Sequence, residues 1–226
     1  MPAQVWAKPE HGIGYDLILT RRLWKDINLK IDYSFCKIRD YVTYNRYAKY
    51  RPSKSNPVPP GLEYSDSMIN LEEMRRQGVE LELDGHIFDS LSFYANYTYT
   101  ALRSMGGEPG GKTAEDERAR HRVNAGLRYN LFKNTLLMLD YKFQDKQVAQ
   151  NSEEVAEDEY IWYTVRMDKY HVFDFAIEQT LFKKYGFFKD AVAKFYINNL
   201  FDEEYENKRG YPMTDRTYGG AISFRF

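Results

Sequence analysis

The sequence predicts an all-β chain, an antiparallel transmembrane β-barrel portion of about nine strands. Three observations carry this reading. Apolar residues alternate with polar ones at a period of two almost from end to end. The separators between these runs are alternately very short and long. The two faces that the alternation creates differ in kind, one apolar and aromatic, the other charged. A water-soluble protein would need a second layer over the apolar face, and nearly every segment already belongs to the sheet.

Strands are expected over 13–22, 26–45, 68–87, 90–102, 119–131, 134–147, 162–182, 189–202 and 215–226. The second places Ile27, Leu29, Ile31, Tyr33 and Phe35 against Asn28, Lys30, Asp32 and Ser34. In the third, Val79, Leu81, Leu83 and Ile87 oppose Glu80, Glu82, Asp84 and His86. The fourth sets Leu91, Phe93, Ala95, Tyr97 and Tyr99 against Ser92, Asn96, Thr98 and Thr100. Val123, Ala125, Leu127, Tyr129 and Leu131 mark the fifth, and Leu137, Leu139, Tyr141 and Phe143 the sixth. Phe173, Phe175, Ile177 and Leu181 mark the seventh. The last carries Tyr218, Gly220, Ile222, Phe224 and Phe226 on one side, with Ser223 and Arg225 on the other.

The separators LWKD, FDS and FKN are tight turns, whereas 46–67, 103–118, 148–165 and 203–214 are long, polar loops. Short turns at one end, long loops at the other and an apolar side turned outward is the pattern of strands crossing an outer membrane. The polar side, carrying Glu80, Glu82, Asp84, Arg128, Glu178, Lys194 and Arg225, would line the lumen. Twenty tyrosines and fourteen phenylalanines suit the aromatic girdles of such a surface, especially Tyr99, Tyr129, Phe132, Tyr141, Phe143, Phe224 and Phe226 near strand ends.

Other classes are disfavoured. With 32 basic against 33 acidic residues there is no excess positive charge, so a nucleic-acid partner is not expected. Cys36 is the only cysteine, and His11, His86, His121 and His171 share no ligand spacing, so no metal site or cofactor is expected. The N-terminal stretch MPAQVWAKPEHGIGYD lacks the basic and apolar regions of a signal peptide. GGEPGGKT (106–113) satisfies a phosphate-loop pattern, but an amphipathic aromatic strand precedes it and nearly pure charge follows. Pro109 also removes one of the N–H groups such a loop needs. It reads as a glycine-rich hairpin loop. No nucleophile, base and orienting group come together, and the chain is not read as an enzyme.

INNLFDEEYENKRGYPMTDRTYGGAISFRF (197–226) resembles the C-terminus of TonB-dependent outer-membrane receptors. The resemblance rests on Asn199, Leu200, Phe201, Asp202, Tyr205, Gly210, Tyr211, Pro212, Arg216, Tyr218 and Phe226. KPEHGIGYDLIL, through Pro9 and Glu10, and RRQGVELEL, through Arg76, Gly78, Val79, Glu80 and Glu82, resemble further family strands.

The resemblance implies a bacterial outer-membrane, multi-pass protein whose family members form barrels of about 22 strands around an N-terminal plug. Residues 1–226 would then be the C-terminal portion of that barrel, holding its last strands, with the plug domain absent. It implies a receptor for energised uptake of a scarce nutrient, a ferric siderophore before haem or a cobalamin-like ligand. The alternative is a non-transporting barrel fragment or a passive porin-like protein. Implied partners are outer-membrane lipid, the barrel-assembly machinery, and TonB through the missing plug region. Glu80, Glu82, Asp84, Arg128, Glu178, Lys194 and Arg225 would face the plug, and Phe226 would be the barrel-assembly signal. Tyr47, Tyr50, Arg51, Arg103 and Lys112 are the expected extracellular ligand contacts.

Overall fold

The computed structural model describes residues 8–24, 26–44, 68–105, 118–156 and 159–226. Its main body is a nine-stranded antiparallel sheet. The first six strands are β1 (His11–Trp24), β2 (Ile27–Tyr44), β3 (Met68–Phe88), β4 (Leu91–Met105), β5 (His121–Phe132) and β6 (Thr135–Gln144). After a separate hairpin, β7 (Gln147–Ala156) and β8 (Glu159–Met167), come β9 (Tyr170–Tyr185) and β10 (Phe188–Asn198). A small ribbon, β11 (Glu206–Lys208) and β12 (Tyr211–Pro212), precedes β13 (Thr217–Arg225). The sheet order is β1-β2-β3-β4-β5-β6-β9-β10-β13.

Four two-residue connections join β1 to β2, β3 to β4, β5 to β6 and β9 to β10, all at one end. The last uses Gly186 at φ 60°, a conformation that costs other residues backbone strain. The long connections gather at the opposite end. Continuous register keeps side-chain parity from strand to strand: Tyr33, Val79, Tyr99 and His121 occupy one row, and Lys30, Glu82, Asn96 and Asn124 lie on the other face. The aromatic side therefore stays uncovered, with Ile13, Leu17, Leu127, Phe195, Ile222 and Phe224 exposed. Against lipid that exposure is favourable, since the interior strands pair their backbone groups with their neighbours and present side chains to this face. Buried residues instead collect on the polar side at the long-loop end, around Tyr170, Val172, Ala176, Ala149 and Met167.

Three expectations are corrected. Among the described residues no sheet closes into a barrel; the sheet is open, with β1 and β13 as its edges. The physical reason is parity: the first and ninth strands of an antiparallel order run the same way and cannot close with an antiparallel seam. The strand expected at 162–182 is divided, because β8 ends at Met167 and the sheet strand β9 begins at Tyr170. The polar segment read as a loop over 148–165 forms the β7–β8 hairpin.

Candidate functional site on the polar face

The polar face is built from cross-strand pairs that the register places opposite one another. Lys30 faces Glu82 and donates to it at 2.8 Å, and Asn28 faces Asp84 at 3.1 Å. Asp32 stands opposite Glu80, a like-charge pair that by itself weakens the sheet. Lys30 lies one row away from both. Lys194 bridges Glu178 at 3.2 Å, and Arg225 pairs with Asp190. All seven residues predicted to face the lumen are thus on one face, distributed among separate pairs rather than joined in one cluster.

The tightest of these groups is centred on Asp140. Arg128 donates one guanidinium nitrogen to both its carboxylate oxygens, at 2.7 and 2.9 Å. The Tyr94 hydroxyl donates to Oδ1 at 2.7 Å, and the Arg128 guanidinium lies 5.7 Å from the Tyr94 ring centroid. Gly126 makes this possible: a Cβ there would fall 2.3 Å from the Tyr94 ring and 2.5 Å from Asp140 Oδ1.

Above this group, the long-loop end folds back over β6 and β9. Tyr170 Oη donates to Asn207 Oδ1 at 2.6 Å, and Gln147 Nε2 to the Asn207 carbonyl at 3.1 Å. Lys142 Nζ reaches Asn207 Oδ1 at 3.4 Å, beside the paired rings of Tyr170 and Tyr205, 5.5 and 5.9 Å from their centroids. Burial, and then the nearby Asp174 carboxylate, raise the Tyr205 phenol above its usual range. Asn199 sits at φ 53° and is 3% exposed. Its amide N–H donates to Asp174, its side-chain Nδ2 to the Glu203 carbonyl at 2.9 Å, and its Oδ1 accepts from Glu203 N–H at 2.8 Å. Asp202 Oδ1 accepts from the Arg216 backbone N–H at 2.7 Å, tying the start of this connection to its end.

Tyr47, Tyr50, Arg51 and Lys112 lie outside the described residues. Arg103 lies on β4 in direct register with Arg75, in a row that continues the apolar face. Phe226 is exposed, its ring stacked on Phe187 at 5.9 Å and close to Phe188 at 5.0 Å. Sequence reasoning missed Tyr94, Asp140, Tyr170 and Asn207. The signal that could have found Asp140 is a lone carboxylate on the polar side of the apolar strand LLMLDYKF, whereas Asn207 carries none. Among the described residues no group of three or more His, Cys, Asp or Glu could hold a metal ion. The chemistry available is that of binding: paired charges, amides and aromatic faces.

Residues 7–200 match the family described as TonB dependent receptor-like, beta-barrel. The chain belongs to this family. Membership places it in the bacterial outer membrane, crossed by its strands, in a family of receptors and transporters rather than enzymes. No curated protein matches the chain. Among solved structures, it is similar to the ferripyoverdine receptor of the outer membrane of Pseudomonas aeruginosa, at TM-score 0.70 and 15% identity over 96% of this chain. The ferric-catecholate import receptor Fiu of E. coli gives TM-score 0.65 and 15% identity, again over 96% of this chain. The FrpB iron transporter of Neisseria meningitidis gives 0.65 and 11%, also over 96%. The chain spans only 27%, 28% and 32% of these three proteins, and at such identities the likeness is one of fold.

Proposed function

We propose that this chain is the C-terminal, membrane-spanning part of a TonB-dependent receptor that takes up a ferric siderophore. The family match over most of the chain carries this reading. The sheet supports it by presenting charge on one side and an uncovered aromatic surface on the other. In the proposed receptor, Glu80, Glu82, Asp84, Arg128, Glu178, Lys194 and Arg225 face the plug, where pairs half open to water can exchange partners at small cost. TonB acts through the plug region. Tyr47, Tyr50, Arg51, Arg103 and Lys112 contact the ligand from the outer side, and Phe226 is the signal for the assembly machinery. The iron chelates named for the similar structures, ferripyoverdine and a ferric catecholate, favour siderophore over cobalamin-like cargo.

The test is uptake of radiolabelled ferric siderophores by iron-starved cells with and without the gene. Uptake that depends on the gene and stops with a protonophore supports the proposal. The alternative reading is a non-transporting barrel fragment or a passive porin-like membrane protein. Gene-dependent passage that survives the protonophore, or no gene dependence for any siderophore, would decide for that reading.

A further inference from the structure

The β6–β9 and β10–β13 connections meet at one residue, Asn207. From the base of the β7–β8 hairpin, Gln147 Nε2 donates to the Asn207 carbonyl at 3.1 Å. The same nitrogen lies 3.3 Å from the sulfur of Met167, its register partner across the hairpin. On the other side, Asn207 Nδ2 donates to Met213 Sδ at 3.1 Å. A continuous chain, Met167–Gln147–Asn207–Met213, thus has a thioether at each end. It runs from the hairpin to the β11–β12 ribbon, and the Tyr170 hydroxyl fastens its middle.

The ribbon needs this fastening. It has two register pairs, Glu206 with Pro212 and Lys208 with Tyr211, and its residues are mostly exposed. So short a pairing is not stable alone. The links from β6, β7 and β9 converge on Asn207, through Lys142, Gln147 and Tyr170.

The two sulfurs differ in access. Met167 is 7% exposed, and Met213 is 37% exposed. Met74 and Met138 are half-buried. Met213 is therefore the most open methionine among the residues whose side chains are described. It lies at the long-loop end, which in an outer-membrane strand set is the cell exterior. Accepting from Asn207 engages one lone pair of its sulfur, and the second stays available to an electrophilic oxygen.

We propose that Met213 is an oxidation site, where a peroxide at the cell surface makes the sulfoxide and so opens the Asn207 junction. The sulfur attacks one peroxide oxygen, and the S–O bond forms as the O–O bond breaks. The departing hydroxide takes the proton from the new S–O–H group and leaves as water. Sulfur loses two electrons and the peroxide gains them. The sulfoxide is polar where the thioether was apolar. Its sulfur is electron-poor and a worse acceptor, while its oxygen accepts far more strongly. An N–H···O bond by itself takes up roughly 2.7–3.2 Å, as much as the whole present S···N separation. Following the oxygen therefore moves Asn207 Nδ2 away from the sulfur. The side-chain amide is planar and moves as a unit, which draws Oδ1 off the Tyr170 hydroxyl. The site rests on the chain's outer-membrane setting and is independent of the transported cargo.

The test uses the protein as extracted from outer membranes in mild detergent, exposed to dilute hydrogen peroxide. Peptide mass spectrometry reads one added oxygen at each methionine, and brief trypsin digestion reads cleavage after Lys208 and Arg209 in the ribbon. Met213 is expected to gain oxygen at least roughly tenfold faster than Met167. Cleavage in the ribbon should rise roughly threefold or more in step with it. Met213→Leu, close in volume, should fold alike and show no such rise. Asn207→Ala should show the raised cleavage before any peroxide is added. Equal oxidation of Met213 and Met167 would overturn the proposal. So would unchanged cleavage once Met213 is oxidised, a peroxide-driven rise that persists in Met213→Leu, or low cleavage in Asn207→Ala.

Discussion

Two regions of the polar face use the same chemistry under different burial. Between β2 and β3, Lys30 and Glu82 meet at 2.8 Å with side chains 38% and 44% exposed. Around the β10–β13 connection, Asn199 is 3% exposed, and its side chain is satisfied by the backbone of Glu203. The distances are alike, but the energetic weight is not. An exposed pair exchanges one hydrated partner for another, whereas a buried amide stripped of its partners has no water to replace them. The first region can lose a member and re-pair. The second holds the chain in one path. The Arg128–Asp140–Tyr94 group, with Arg128 and Asp140 side chains 30% and 35% exposed, lies between them.

The contrast predicts a graded series. Asn199→Ala should be the most damaging, costing about 1–3 kcal/mol through the unpaired Glu203 backbone groups. Its φ of 53° adds to this, since alanine adopts that conformation poorly. Thermal unfolding in detergent, followed by loss of β circular dichroism, would read this as a clearly lowered midpoint. Arg128→Gln should cost roughly 1 kcal/mol, discounted for partial exposure, because Asp140 keeps the Tyr94 hydroxyl but faces Asp174 uncompensated. Lys30→Gln should leave the midpoint within experimental scatter. If Lys30→Gln proved as costly as Asn199→Ala, burial would not be what separates the two regions.

Much of the sheet was legible because strand periodicity is local. Leu29, Ile31 and Tyr33 announce a face without reference to any other segment, and the short turns follow from where the alternation stops. The β7–β8 hairpin was not legible: QNSEEVAEDE offers no apolar stripe, so its own pattern does not announce the pairing. The seven charged residues expected on the polar face were readable from parity, but their partners were not. That Glu82 meets Lys30, or Arg128 meets Asp140 diagonally, depends on register across two strands. Arg103 shows the same limit. Its position near a loop suggested a ligand contact, and only register with Arg75 places it in the row above the apolar face.

By itself the sequence determined a two-faced antiparallel strand set, its turn polarity and its membrane setting, because a period of two and the hydrophobic effect act residue by residue. The tertiary structure alone decided that the sheet stays open, that Gln147 meets Asn207 across sixty residues, and that Tyr94 lies over Gly126 to reach Asp140. Those outcomes depend on strand count, register and the path of long connections, and each joins groups that no local pattern relates.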